Sequence, residues 1–429
     1  MRERLNRPRI KPNILLILVD ALRPDHLGCY GYPRDTSPNI DKIAHNGILF
    51  SNYYSVSSWT NPTIISMFTG LYPQSVLPPA KHLNSLKQVL PEMPTLAKIL
   101  SSAGYRTVSL NDHPSINRQL NYDQGFHAFK ELWHENGWHK DWGGVDPKVF
   151  VDELSEELTK SQDASKPFFI FMHILYPHAP YIPPAPYDTY FGETFTSISP
   201  LERDRMINVY DGEILYTDQL IGSIYGLLED RGFLDKTYVI ITADHGEGFY
   251  EHGMWEHGNT LYNELLNIPL IILPPHGRCH EPQQVSFLTS NIDFFPTILE
   301  MARIDPTQYP ADGQSLFRFL QTDNNKITVN TVFSESCHSF CVESYAMQNT
   351  RYKVIMHKDK AVEVFDKYLD PMELTDISKE MRVGDLKALQ NRMVQHNIMN
   401  IERRKIYRIK ETEMNIEALN KIKSLGYLQ

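Results

Sequence analysis

Asn13-Ile-Leu-Leu-Ile-Leu-Val-Asp20 decides the fold class: the apolar run is unbroken from Ile14 to Val19 and stops at a carboxylate. A strand with one wet face alternates polar and apolar residues. A run apolar at every position is buried on both faces and belongs inside a sheet covered by helices. Lys166-Pro-Phe-Phe-Ile-Phe-Met-His173 and Lys236-Thr-Tyr-Val-Ile-Ile-Thr-Ala-Asp244 repeat the pattern, each ending on a side chain that can bind a metal or move a proton. Helix-like stretches at Thr95 to Ser102, Lys148 to Lys160 and Asp218 to Asp230 separate these strands. The alternation predicts an α/β fold, an α/β/α sandwich around a mostly parallel sheet. In open sheets of this kind ligands sit beyond the carboxyl ends of the strands, which is where Asp20, His173 and Asp244 fall.

Outward from these strands, the texture changes after about residue 325. Short strand-like segments (Thr328 to Phe333, Tyr345 to Gln348, Tyr352 to Met356) precede a long polar helical stretch from roughly Gly384 to Ser424. The expected organisation is a domain over 1–325 and a smaller α+β subdomain over 326–429. The 429 residues are enough for one large core plus such an appendage. Net charge is −10, with no long block of Lys or Arg, which argues against a phosphate-tracking nucleic-acid surface. The early apolar run is too short for a signal-peptide core or a membrane span, so no membrane span and cytoplasmic residence are the expectations. A homo-oligomer is compatible with the sequence. The four cysteines do not make a disulfide scaffold, and Cys337-His338-Ser-Phe-Cys341 reads as a chance loop cluster, lacking a second Cys/His pair to complete a tetrahedral metal set.

Asp20 and the adjacent Asp244-His245 supply hard oxygen and imidazole donors, a set suited to Zn, Mn, Mg or Ca. Taken singly, a strand-end aspartate is as well explained as a helix cap. Gly246 and Gly248 let the backbone turn tightly beside a ligand. In Ser57-Ser-Trp-Thr60-Asn-Pro62-Thr-Ile64 a hydroxyl opens a helix, where backbone amides favour an anion or a developing alkoxide. Read locally, Thr60 or Ser58 is an N-cap.

Several segments in order resemble the sulfatase family of the alkaline phosphatase superfamily. Asn13 to Asp20 looks like its first strand; Arg23-Pro-Asp-His-Leu-Gly-Cys-Tyr-Gly31 and Thr36-Ser-Pro-Asn-Ile-Asp41 look like the loop that follows. Trp59 to Pro73 resembles the nucleophile segment, Pro177-His178-Ala-Pro-Tyr-Ile-Pro-Pro the substrate-histidine loop, and Ala243-Asp-His-Gly246 the second metal motif. Asp293 to Leu299, Val364 to Glu373 and Leu425-Gly-Tyr427 complete the series. The resemblance implies an alkaline-phosphatase-like fold and a metal-dependent hydrolase acting on a small anionic ester, whether sulfate, phosphate or phosphonate. It implies Thr60, His178 and His257 as catalytic residues, and Asp20, Thr60, Asp244 and His245 as ligands of a divalent metal ion.

Two departures qualify that picture. Thr60 stands where sulfatases carry the Cys or Ser that becomes formylglycine, and Ile64 stands where they carry Arg. A threonine cannot undergo that maturation, so the expected nucleophile is a metal-activated threonine alkoxide, as in superfamily phosphodiesterases. Ala21 replaces a second Asp and His245 stands where many relatives have Asn, which favours Zn or Mn over Ca. The alternatives are transfer of the group to an alcohol acceptor, and a binding protein that keeps the fold without the reaction. Asn111-Asp112-His113, His173 and His252 rank below His178 and His257 as pocket or second-metal residues. Asp211 and Asp218 are expected to face solvent or cap helices.

Overall fold

The structure, a computed structural model, describes residues 11–76, 85–87, 89–135, 144–162, 166–276, 283–320, 331–336, 344–357, 361–404 and 411–413. The central sheet has eight strands: β1 (Asn13–Val19), β2 (Ile48–Phe50), β3 (Arg106–Asn111), β4 (Ala128–Glu131), β5 (Phe168–Ile174), β6 (Thr237–Thr242), β7 (Leu270–Leu273) and β8 (Gln283–Val285). They lie in the order β8-β2-β7-β6-β1-β5-β3-β4. β6, β1, β5, β3 and β4 are mutually parallel, and β7 runs antiparallel to both β6 and β2. The unbroken apolar runs occupy the middle, as two covered faces require: every residue of β1 and β5 is buried.

Helices cover both sides. α1 (Pro38–Asn46), α4 (Pro147–Gln162) and α5 (Arg203–Asp230) pack on one side; α2 (Thr60–Thr69), α3 (Leu96–Ser102) and α6 (Phe294–Met301) pack on the other. α2 is buried along its whole length and stops at Gly70. The φ of 71° there is left-handed, and a Cβ would fall 2.8 Å from the Phe295 ring, so the position has no room for a side chain. The helix expected over Asp218 to Asp230 begins instead at Arg203. Asp211 and Asp218, expected at the surface or on caps, are both fully buried. Asp211 binds His26, Tyr32 and Arg34. Asp218 does act as a cap, but for α1: it accepts the orphan backbone N–H groups of Asn39 and Ile40 across the helix interface.

Beyond the central sheet, β9 (Thr331–Ser336), β10 (Ser344–Asn349), β11 (Tyr352–His357) and β12 (Glu363–Asp366) form a four-stranded antiparallel sheet. Val332, Ala346, Ile355 and Phe365 pack onto Tyr54, Leu261, Leu266 and Leu288; Met347, Val354 and Val364 pack with Met393 of α7 (Val383–Arg404). The polar helix read as far as Ser424 is interrupted, because Glu411–Glu413 pairs antiparallel with Ser85–Lys87. There an available strand partner outweighs helix propensity. Cys337 to Cys341 lies outside the described residues. Among the described residues no helix is long and apolar enough to cross a membrane.

Candidate active site

Three strands deliver the core of the site. Leu18 of β1 is in register with His173 of β5 and with Thr242 of β6, so Asp20, His173 and Asp244 emerge side by side at the carboxyl edge of the sheet. All three are fully buried, and one donor atom from each lies within 4.8 Å of the others. His245 follows directly. Its Nδ1 donates to the Gly246 carbonyl (2.8 Å), which leaves a lone pair on Nε2. That Nε2 stands 3.4 Å from Asp20 Oδ1, 3.4 Å from Asp244 Oδ2 and 3.1 Å from the Thr60 hydroxyl. Thr60 is the first residue of α2, with Trp59 in the N-cap position and making no side-chain cap bond, so the threonine faces the site instead of closing the helix.

Asp20 Oδ1 and Asp244 Oδ2 have no hydrogen-bond partner among the described residues. Two buried carboxylate oxygens without a partner, facing an imidazole lone pair, are costly on their own, about 1–3 kcal/mol for each oxygen. A divalent cation satisfies all three, so the residues fit a metal site. Burial, then the charge of Asp244, pushes the Asp20 carboxyl well above the ordinary carboxylate range. Burial pushes Asp244 upward too, but His245, His173 and the Thr60 hydroxyl outweigh it and hold that carboxyl below its usual value. One member of the pair therefore carries the charge more readily than the other.

His173 of this core is joined by three further imidazoles. His173 Nε2 is 3.1 Å from Asp20 Oδ2, and its Nδ1 is buried without a partner among the described residues; burial lowers its pKa to about 4. His113 stacks on His173 with rings parallel (5.2 Å, 1°). The backbone N–H of Ser115 donates to His113 Nδ1 (3.1 Å), so in the neutral ring the proton sits on Nε2, 3.6 Å from Asp20 Oδ2. His113 is thus a donor toward this corner, not a ligand. His178 Nδ1 donates to the Ala179 carbonyl (2.6 Å), and its Nε2 lies 3.3 Å from His257 Nε2. Burial, then the neighbouring His257, holds His178 well below the normal histidine range, hence neutral at pH 7. The His257 ring stacks on His245 at 4.1 Å.

The sequence-predicted residues Asp20, Thr60, Asp244, His245, His178 and His257 therefore come together in one buried cluster. His113 and His173, ranked lower from sequence, join it; His252 does not, being bound to Glu264 and to the Glu373 carbonyl. Glu247, not singled out from sequence, holds His257 from behind (Oε1 to Nδ1, 3.0 Å). Its signal was a carboxylate two residues after Asp244-His245 in the same turn. Ile64, at the position where sulfatases carry Arg, is packed in the apolar core.

Comparison with known proteins assigns the fold and the family. A family model described as Sulfatase matches residues 12–304, and one described as N-sulphoglucosamine sulphohydrolase, C-terminal, matches residues 250–399. Arylsulfatase K of Xenopus laevis is 25% identical over 453 residues, covering 86% of this chain and 80% of that protein. The N-acetylglucosamine-6-O-sulfatase of Bacteroides thetaiotaomicron is 24% identical over 473 residues, covering 86% and 82%. Among solved structures, the phosphonate monoester hydrolase of Agrobacterium radiobacter superposes with a TM-score of 0.72 at 19% identity, covering 94% of this chain and 97% of that one. A 2-O GAG sulfatase superposes with a TM-score of 0.74 at 20% identity, covering 96% of both. Since the first family model spans the whole central sheet and every strand end and loop that carries the cluster, the chain belongs to the sulfatase family.

Proposed function

We propose that this chain is a metal-dependent hydrolase of small anionic esters, sulfate, phosphonate or phosphate, with Thr60 as the nucleophile. The observation that carries the reading is the Thr60 hydroxyl, presented at the head of a buried helix 3.1 Å from His245 Nε2 and beside two carboxylates with unsatisfied oxygens. Asp20, Asp244, His245 and Thr60 would hold a divalent cation, with His173 a further candidate ligand; the imidazole donor favours Zn or Mn over Ca. When bound, such an ion supplies Lewis-acid charge that lowers the hydroxyl pKa and offsets the negative charge of the ester.

The residues of the chain then divide the work. Thr60 Oγ attacks the sulfur or phosphorus, forming the Oγ–S or Oγ–P bond as the bond to the leaving oxygen breaks. His178 and His257, their Nδ1–H groups committed to Ala179 and Glu247, face each other through Nε2; the one further proton that such a pair holds between its rings goes to the departing alkoxide. His113, its Nε2–H fixed by Ser115, holds an oxygen of the anionic group. Water then cleaves the sulfo- or phospho-threonine and restores the hydroxyl. Burial of Thr60, His113 and His178, with the His257 side chain only 4% exposed, limits the access of bulk water to the site. Threonine has no route to formylglycine, so the covalent intermediate sits on an ordinary alcohol.

A panel of aryl sulfate, aryl phosphonate and aryl phosphodiester substrates, run on the wild type and on Thr60→Ala with Zn or Mn, tests the reading. Turnover that disappears with chelator and falls at least about a thousandfold in the alanine variant is expected, since losing a nucleophile can cost up to about 10⁶-fold in kcat. Wild-type turnover in Thr60→Ala removes Thr60 as nucleophile. A protein that binds no metal and turns over no ester leaves only a non-catalytic sulfatase fold.

A further inference from the structure

His257 stands at the far end of a hairpin, Gly248–Phe249 paired with Trp255–Glu256, that leaves the site at Glu247 and returns to it. A lone loop histidine has two tautomers and a free ring torsion, and only one combination aims a given nitrogen at a substrate. Here one side chain removes both freedoms. Glu247 Oε1 lies 3.0 Å from His257 Nδ1, a pair with side-chain exposures of 0% and 4%. With Nδ1 committed to the carboxylate, Nε2 is turned to His178 Nε2 at 3.3 Å, while the ring lies flat against His245. Glu247 is fixed in its turn. Its backbone carbonyl accepts from Arg23 Nη1 (2.9 Å), and the Gly248 N–H donates to Oε1 (3.3 Å). It also follows the ligand pair Asp244-His245 by two residues, so the turn that holds the ligands holds the orienting carboxylate.

We infer that Glu247 is a positioning residue for the ester hydrolysis: it sets the tautomer and ring plane of His257 and so aims His257 Nε2 into the site. This rests on the hydrolase reading above.

The experiment is a double-mutant cycle between Glu247→Ala and His257→Ala on the full-length, metal-loaded protein, with kcat and KM measured on the substrate that the wild type turns over best. In the wild-type background Glu247→Ala should lower kcat by about 10–100-fold, the range for losing a residue that orients a reacting one, with KM within about threefold and metal content unchanged. Glu247→Gln, which keeps an oxygen acceptor, should stay within about tenfold of wild type. In the His257→Ala background, where there is no ring left to orient, Glu247→Ala should cost less than about threefold. An equal loss in both backgrounds, wild-type kcat in Glu247→Ala, or loss of metal from that variant each overturns the inference. Long-range nitrogen–proton correlations of the His257 ring read the tautomer without turnover: Nδ1–H in the wild type and its loss in Glu247→Ala are expected. A wild-type ring protonated on Nε2 alone overturns the inference even if hydrolysis is normal. An inactive wild type that still shows Nδ1–H fails the hydrolase reading and leaves the positioning role supported.

Discussion

Replacing Asp20 by asparagine should reverse its effect on stability when a divalent cation is added. Asp20 is fully buried beside Asp244, its Oδ1 is unsatisfied among the described residues, and its carboxyl is held well above the usual range by burial and then by the Asp244 charge. Without cation, asparagine removes one of two like charges from a closed site and should gain about 1–2 kcal/mol. Unfolding 429 residues carries an entropy of about 0.9 kcal/mol/K, so that gain is a rise of about 1–2 °C in Tm. Cation at about a thousand times its Kd adds about 4 kcal/mol to the wild type, or about 4–5 °C. If loss of the charged ligand weakens binding about a thousandfold, the variant gains only about 0.4 kcal/mol under the same conditions. The order of the two melting temperatures should therefore cross, with the variant above the wild type in chelator and about 2 °C below it in Zn or Mn. The folded-state pKa of Asp20 is raised, so the stability it contributes is complete at acid pH and is lost as pH rises through that raised pKa. The variant's advantage in chelator should accordingly widen from acid to neutral pH. Calorimetry on both proteins with and without metal checks this, and the same rank order in both conditions refutes a cation site at Asp20.

His173→Gln should protect the metal-free protein against acid. The native ring is held neutral with a pKa of about 4, so the unfolded state binds more protons between about 6.5 and 4 and stability falls as pH drops through that window. About 3 kcal/mol of that loss should be missing from the glutamine variant, read from urea midpoints at pH 7 and pH 4. His178→Ala should slow esters with poor leaving groups more than activated aryl esters, by about a further 10²-fold, if the proton it holds jointly with His257 goes to the departing oxygen. An equal loss on both kinds of ester would reassign His178 to anion binding. Lys353→Met should destabilise by about 3–5 kcal/mol, since it strands the Glu373 carboxylate in a fully buried ion pair (2.9 Å). Adding Glu373→Gln should restore most of that loss in calorimetry.

The sheet is legible in the sequence because its central strands are apolar on both faces, a pattern that physics permits in few places. Asp20 and Asp244 are legible as the polar stops of those runs. The same rule, applied without exception, promotes His173 at the end of β5 and Asn111-Asp112-His113 at the end of β3, which neighbours β5. They rank low from sequence because a histidine in or after a strand also reads as packing, and only register shows that Leu18 lies opposite His173. Thr60 reads locally as a cap, since hydroxyls that open helices usually bond the first turn; here the pull of the site overrides that use. Glu247 and Asp211 are hidden for a different reason. Their partners, His257 and the His26–Tyr32–Arg34 group, are brought to them by a hairpin and by the crossing of α5 over a loop, which no local pattern encodes.

That hairpin also explains why the small C-terminal sheet bears on the chemistry. His257 lies between His252 and Tyr262, whose rings stack on each other at 3.7 Å. His252 bonds the Glu373 carbonyl, Tyr262 bonds Glu363 of β12, and Asn263 donates its backbone N–H to the Glu373 carboxylate that Lys353 of β11 neutralises. Each link is buried or half-buried and joins the segment carrying His257 to the small sheet, so the loop is braced on one side by Glu247 and on the other by Glu373 and its lysine. Asp20, Asp244 and His245, proposed as ligands, need no such bracing, because they directly follow central strands. Histidines on loops do: a ring displaced by about 1 Å can cost about 10²-fold in rate. The four-stranded sheet therefore acts as part of the frame of the site, and removing it would expose Leu261 and Leu266 while releasing the loop that aims His257.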